Sequence, residues 1–571
     1  MSVQPQPWPQ PDPQIAAAIR AMYRGKREAP LAVQVRDRLG ELFPDAAFAD
    51  AFGRAGKPGW SPGRLALVTV LQKAANLTDR QAADEVRENL AWKYALGLSL
   101  EDPGFDHSVL SEFRSRIVTH GLAERALDLL LERLRELGLV DAGGSQRTDS
   151  THIVAAVRDL NRLELAGESV RAALNALVAA CPDWVEQVLV VEDWSRRYAD
   201  RIDTWRLPTS KAKQDALALD YAKDGHTLLH AVYAHGSPAW LRELPAVQSL
   251  RIVLVQNYTR TTAGNGHIRV KRRERAEDGG DGLPPGPIRL ASPYDTDARW
   301  SAKQDMFWNG YKLHVSETCH PQADGDRPAR PNIITNVATT ASTLPDSKAL
   351  EAIHQVLQRR RLLPARHYLD SGYPSAELIV GSAKTYGVAL ITPVLLDTSR
   401  QAKAQEGFAA DDFTIDWDNQ QAVCPAGKTN ATWTPNIQNG VPKTVVTFAA
   451  LDCIPCRFKE QCTSSRKNRR QLSLYPRELT EAVQEARTRQ QTKDWNRDYA
   501  LRAGVEGTIR QATHTTGLRR ARYRGLPKTH LDHTTSATAL NLIRLHSWWN
   551  GHPLDRVSHS HLARLQLSLA A

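Results

Sequence analysis

The stretch RTDSTHIVAAV (147–157) marks the point where apolar residues stop recurring every three or four positions and begin to alternate. Its β-branched residues predict a strand, with Asp149 near the start. Two further strand-like runs follow at GYKLHVSETC (310–319) and NIITNVATT (332–340), joined by a Pro- and Asp-rich connection that reads as a hairpin. Between the first run and the second lies a long helical and irregular segment, near 158–290, ending in GGDGLPPG. Beyond the third come a helix from Asp346 to about Arg360, the short strand RHYL (366–369), a helix around Ser375 to Tyr386 and the strand VALITPV (388–394). After an insertion at 396–494, Trp495 to Ala512 reads as helix.

Three hairpin-linked strands followed by alternating helices and strands predict an α/β fold, a mixed sheet with helices on both faces, interrupted by insertions. This is a ribonuclease H-like order. In such a sheet the end of the first strand and the end of the strand after the first helix lie side by side, and Asp149 and Asp370 hold those two places.

Ahead of the sheet the chain reads as helical. Ser61 and Pro62 predict an N-cap with proline at the first helical position, Thr78 with Gln81 predicts a capping box, and a third helix follows Ser108. Short helices at this spacing suit a helical N-terminal DNA-binding domain. The first fifteen residues hold five prolines and predict an extended leader. The expected divisions are a leader (1–30), the helical domain (31–140), the first part of the sheet core (141–395), a cysteine-bearing insertion (396–494) and the C-terminal helical part of the core (495–571).

The balance of 74 Lys and Arg against 63 Asp and Glu gives a net charge of +11, which favours a polyanionic partner, nucleic acid first. No apolar run has the length of a membrane span, and the start lacks the regions of a signal peptide. Six cysteines, four of them between Cys424 and Cys462, do not form a spread disulfide framework. These features predict a soluble cytoplasmic protein.

Three converging carboxylates are the least that a pair of Mg²⁺ ions needs for in-line chemistry on a phosphodiester. Glu506 is the third candidate, because Tyr499, Arg502, Glu506 and Arg510 follow at three, four and four residues and would share a helix face. A solvated helix with ordinary ion pairs has the same pattern. Asp297, Asp346 and Glu317 are rival ligands, although Asp346 after Pro345 suits a helix N-terminus. His152 and His314 fall near the same place and read first as packed residues.

Cys453-Ile-Pro-Cys456, with Cys462 and Cys424, could close a tetrahedral Zn²⁺ site if a hairpin across 430–450 brings Cys424 round; packing as reduced, small apolar residues is the other reading. Cys181 and Cys319 read as ordinary buried or partly buried residues. Between Leu501 and Lys528 the basic residues Arg502, Arg510, Arg519, Arg520, Arg522, Arg524 and Lys528 face the single acid Glu506, a local field suited to phosphates. The runs at Arg466–Arg470 and Lys271–Arg275 read as solvated faces. Trp308 and Trp417 read as core residues by default, with stacking on a frayed base as the alternative.

The stretch YALRAGVEGTIRQATHTTGLRRARYRGLPKTHLDHTTSATALNLIRL (499–545) resembles the C-terminal end of bacterial insertion-sequence transposases of the DDE class, in a long-chain branch. Tyr499, Arg502 and Glu506 match the Tyr-Arg-Glu spacing of that family's signature, while its following Lys is replaced by Thr513. TDST around Asp149, SPYDTDARWSAKQ with WNGYKLHVSET, LDSGY around Asp370 and the N-terminal WSPGRLALVTVLQKAANLTDRQAADEVRENLAWKYALGL extend the resemblance. It implies Asp149, Asp370 and Glu506 as catalytic triad and metal ligands, Mg²⁺ or Mn²⁺ as cofactor, and DNA cleavage followed by strand transfer. It also implies double-stranded DNA partners (the element's terminal inverted repeats and target DNA), a homo-oligomer in the DNA complex, and DNA contacts from Tyr499, Arg502 and the basic residues after them. A DNA-binding protein without catalysis and a nuclease without joining activity are the alternative functions.

Overall fold

The Ser61 hydroxyl accepts the Arg64 N–H at 3.2 Å and opens helix α1 (Pro62–Ala74), whose first residue is proline as the sequence predicts. The Thr78–Gln81 capping box opens α2 (Asp79–Glu88), and α3 (Ser108–Thr119) and α4 (Arg125–Glu136) complete this part. Each helix buries its apolar stripe: Leu65, Val68 and Leu71, then Ala82 and Val86, then Leu110, Phe113 and Ile117. The computed structural model describes residues 2–552 apart from 26–27, 54, 57, 263–267, 277–278, 280–281, 321–329, 396–399, 405–407 and 439, together with residue 566. Much of the hairpin connection expected before residue 332, and part of GGDGLPPG, lie outside the described residues.

The start of the chain differs from the expected extended leader. The Val3 N–H donates to Gly53 O at 3.0 Å, Trp8 is buried, and Pro13–Met22 is a helix that buries Ile15 and Ile19. Proline excludes helix only where an N–H is needed; Pro13 stands at the first helical position, and Asp12 caps the N–H groups of Gln14 and Ile15.

The central sheet contains β1 (Ser145–Val154), β2 (Arg299–Lys303), β3 (Met306–Thr318), β4 (Ile334–Ala341), β5 (Arg366–Leu369) and β6 (Ala389–Ile391). Its order is β4-β3-β1-β5-β6, with β2 pairing the first part of β3. β3 is antiparallel to β1 and to β4, whereas β5 and β6 run parallel to β1. The parallel strands arrive through crossover helices α5 (Asp346–Arg359) and α6 (Ala376–Tyr386). The sequence placed the second strand from 310; it begins at Met306, where it turns back on β2.

Beyond the insertions the chain forms α7 (Lys493–Tyr499), α8 (Gly504–Thr516) and the long α9 (Leu526–Trp549), which packs on both β4 and α1. One hydrophobic core runs from Trp8 through the N-terminal helices and the sheet to Leu545 on α9. Within it Lys73 of α1 forms an ion pair with Asp532 of α9, their side chains 4% and 3% exposed, and burial pushes the Lys73 pKa down. The helical N-terminal part is therefore continuous with the sheet. The insertion after β1 has its own core, with Leu163, Trp184, Tyr198, Tyr221 and Leu250 among its members, and the insertion after β6 has a much smaller one.

Candidate active site

Parallel pairing of β1 with β5 ends at Thr148 opposite Leu369, so Asp149 and Asp370 are the next residues on neighbouring strands. The Asp149 carboxylate accepts the Ser150 N–H at 2.7 Å through one oxygen and Arg502 Nη1 at 3.0 Å through the other. Arg502 Nη2 donates to Glu506 Oε1 at 2.6 Å. Asp370 accepts the N–H of Ser371 at 2.7 Å. Burial, reinforced by the charge of Asp370, holds the Asp149 carboxyl above the usual range against the pull of the Ser150 N–H and Arg502. Burial works against the Arg502 cation, but Asp149, Tyr499, Asp370 and Glu506 together hold its pKa up. The three acids chosen from the sequence thus lie in the field of one guanidinium.

The helix that carries Glu506 is not continuous as predicted. α7 gives way to a 3₁₀ turn at Ala500–Ala503 before α8 begins. Arg147 of β1 meets the chain at the break: its Nη1 donates to Leu501 O at 2.7 Å, and its guanidinium lies where a Cβ at position 504 would stand. Arg502 and Glu506 remain one turn apart across the junction. Tyr499 stacks on Trp495 with ring centroids 4.7 Å apart and donates its hydroxyl to Leu369 O at 3.2 Å; burial pushes its phenol up to about 12.

The rival acids have structural partners. Glu317 is fully buried, with Arg147 Nε at 2.7 Å, Arg544 Nη1 at 2.8 Å and the Thr508 hydroxyl at 2.6 Å, and it ties β3 to β1, α8 and α9. Asp346 accepts from the Ser150 hydroxyl at 2.9 Å and Lys312 Nζ at 2.8 Å at the start of α5. Asp297 accepts the Leu526 N–H at 2.9 Å and caps α9. His314 is buried against the Tyr373 hydroxyl at 2.7 Å, and His152 packs against Trp308 and Arg519. The sequence pattern gave no sign of the Arg147–Glu317–Arg544 cluster, because its members are far apart in the chain and sit on a strand, a strand and a helix.

The basic stretch divides. Arg510, Arg520, Arg524 and Lys528 are exposed. Arg519 instead donates to the Thr151 hydroxyl and His152 O, both at 2.8 Å, and Arg522 donates to Leu77 O at 2.8 Å and to Asn76. These two guanidiniums clasp the C-terminal segment to β1 and to the N-terminal helices. Tyr523 lies beneath Arg114, 4.8 Å from its guanidinium carbon. Thr513, where the family signature has Lys, donates its hydroxyl to Ile509 O at 2.9 Å. Trp308 is buried and Trp417 packs edge-on against Trp433.

Cys424, Cys453, Cys456 and Cys462 line one cavity of about 30 Å³. The hairpin that had to bring Cys424 round is present, formed by β7 (Asn430–Gln438) and β8 (Val441–Phe448). Burial pushes the Cys462 thiol up, opposed by Arg470 and assisted by the other three sulfurs. Cys319 is buried and Cys181 half-buried. As they stand, no three His, Cys, Asp or Glu side chains among the described residues are arranged to hold a metal ion. No described helix is long and apolar enough to cross a membrane.

Residues 423–546 match the family Transposase DDE domain, and residues 26–116 match Transposase domain (DUF772). The first match takes in Glu506, the four clustered cysteines and the basic stretch, whereas Asp149 and Asp370 lie between the two. No curated protein and no solved structure matches the chain. A transposase domain is thus matched towards each end of the chain, which supports its likeness to insertion-sequence transposases of the DDE class.

Proposed function

We propose that the protein cuts DNA at the ends of its element and joins the freed 3′ ends to target DNA, using Asp149, Asp370 and Glu506 in a ribonuclease H-like sheet. The observation that carries this reading is that Asp149 and Asp370 follow the last paired residues of neighbouring strands, while Arg502 bridges Asp149 to Glu506. Carboxylate oxygens suit Mg²⁺ or Mn²⁺, and Asp149, Asp370 and Glu506 would hold such ions. Bound divalent ions supply activation of the attacking oxygen and stabilise charge on the leaving oxygen. In the present arrangement Arg502 is the counter-ion of two of these acids; once released it faces incoming phosphate from the same turn. Ser150 N–H and Ser371 N–H fix the orientation of the two aspartates.

Arg510, Arg520, Arg524 and Lys528 provide the exposed charge for the backbone of double-stranded DNA. Two copies would act together, since the two inverted-repeat ends of an element must be held at once, and the work takes place on chromosomal DNA in the bacterial cytoplasm.

The test uses a plasmid carrying the gene with its natural flanking DNA. Asp149→Asn, Asp370→Asn and Glu506→Gln are each expected to abolish strand cleavage with Mg²⁺ while leaving retardation of flank DNA in a gel intact. Cleavage at wild-type rate by any of them contradicts the triad. Salt-sensitive binding by the wild type without nicking in Mg²⁺ or Mn²⁺ favours a binding protein, and cleavage without joining of pre-cut 3′ ends favours a nuclease.

A further inference from the structure

We propose that the insertion after β6 is held together by one Zn²⁺ ion bound by Cys424, Cys453, Cys456 and Cys462. This site is separate from the acidic one and does not depend on the reading of that site. The first observation is how little apolar material this unit has. Its buried core is Phe413, Ala422, Val446, Phe448, Leu472 and Leu474, a small set for a segment spanning 408–474, with partly buried Trp417, Trp433, Cys424, Cys453 and Cys462 among the residues packed against it. A core this small gains from a cross-link or a metal, and its cysteines form no disulfide.

The second observation is the local backbone around the thiols. In Cys424-Pro-Ala-Gly427-Lys428 the chain turns tightly: Gly427 N–H donates to Cys424 O at 2.7 Å, and Cys424 N–H donates to Lys428 O at 2.8 Å. Gly427 has φ +78°, which favours glycine. The turn aims the Lys428 N–H at Cys424 Sγ, 3.4 Å away, a donor placed to support a thiolate. Cys453 and Cys456 flank a second turn, in which Cys456 N–H donates to Cys453 O at 3.3 Å, and Cys462 ends the short helix Lys459–Cys462. The β7–β8 hairpin spans the interval between Cys424 and the other three cysteines.

The third observation is convergence with charge. All four cysteines frame the same cavity, which Lys428, Lys459, Arg470 and Asp452 line too; three cations against one carboxylate leave a positive surplus to offset the charge of a tetrathiolate zinc centre. About 30 Å³ is room for a single small guest. Among the described residues the thiols do not stand at ligand spacing; binding would require each sulfur to turn onto a common centre. Four thiolates select a tetrahedral, thiophilic ion, and zinc brings no redox chemistry.

The full-length chain, purified under reducing conditions, is expected to contain about one zinc per molecule by elemental analysis, retained through brief EDTA dialysis. Exchange for Co²⁺ should give the thiolate charge-transfer and tetrahedral d–d absorption of a four-sulfur site. Four of the six cysteines should resist a thiol reagent until the metal is displaced. The double variant Cys453→Ser/Cys456→Ser should lose the zinc; the cobalt spectrum of the wild type stands independently if that variant fails to fold. A folded, metal-free chain whose four thiols react freely or oxidise to disulfides overturns the proposal, as does iron in place of zinc.

Discussion

Glu317 and Asp149 stand on paired strands of one sheet, and both are tied to arginine, Asp149 through the guanidinium it shares with Glu506 of α8, yet their surroundings differ. Glu317 has no exposed surface and meets two guanidiniums and a hydroxyl. Its desolvation is met by fixed partners, and its carboxyl stays below the usual range because Arg544 and Arg147 outweigh burial. Asp149 has a side chain 13% exposed, and Glu506 one 63% exposed, with Arg502 shared between them. Here burial wins at Asp149, and one cation is paired with two acids while feeling the charge of Asp370. Glu317 within the sheet is saturated by its partners, whereas Asp149 and Glu506 share a single guanidinium. Arg147 couples the two: it neutralises Glu317 and also holds the turn that carries Arg502.

The comparison breaks most readily at its buried side. Glu317→Gln leaves two desolvated guanidiniums facing a neutral amide and is expected to destabilise the fold by about 3–5 kcal/mol, measured by urea unfolding. A loss under about 1 kcal/mol would mean that the cluster is not the scaffold described. Lys73→Met should destabilise by a similar amount, about 3 kcal/mol, because it leaves Asp532 buried and unpaired. The double change Lys73→Met/Asp532→Leu should recover most of that loss; no recovery would show that the pair does more than neutralise itself.

Acid should act next in size. Burial lowers the pKa of His314 and His354 to about 4 and that of His533 to about 3, below the 6.5 of a free imidazole. The folded state therefore favours their neutral forms. Their contribution is fully present above pH 6.5 and is lost as pH falls from there towards 4 and 3. Glu124, lowered to about 2 by His530 and Arg360 in spite of burial, adds a second loss from pH 4.5 downward. Thermal unfolding between pH 8 and 4 checks this; an unchanged midpoint down to pH 5 would contradict it.

The smallest stability effect belongs to the exposed edge. Glu506→Gln should change unfolding free energy by no more than about 0.5 kcal/mol while removing cleavage. A large stability loss in this variant would erase the contrast with Glu317.

Much of the framework was legible from local pattern. The Ser61 and Thr78 caps, the strand order after residue 147 and the crossover helices follow from short-range spacing, and the adjacency of Asp149 and Asp370 follows from that order. Glu506 came from helical spacing together with family resemblance. What stayed hidden depends on contacts between distant segments. Nothing around Arg147 announces that it meets the break in the helix at Ala500–Ala503, and nothing in the run from Arg519 to Arg524 announces the clasp to β1 and the N-terminal helices. The packed start of the chain was obscured by prolines, whose composition signals extension while Trp8 and Ile15 supply the anchors.

The central claim, that Asp149, Asp370 and Glu506 form one divalent-metal site, is tested most directly by titrating Mn²⁺ into the wild type and the three single variants, reading free ion by electron paramagnetic resonance. The wild type should take up Mn²⁺ at a site that Asp149→Asn and Asp370→Asn each eliminate and Glu506→Gln weakens. Equal uptake by all four proteins would contradict the account.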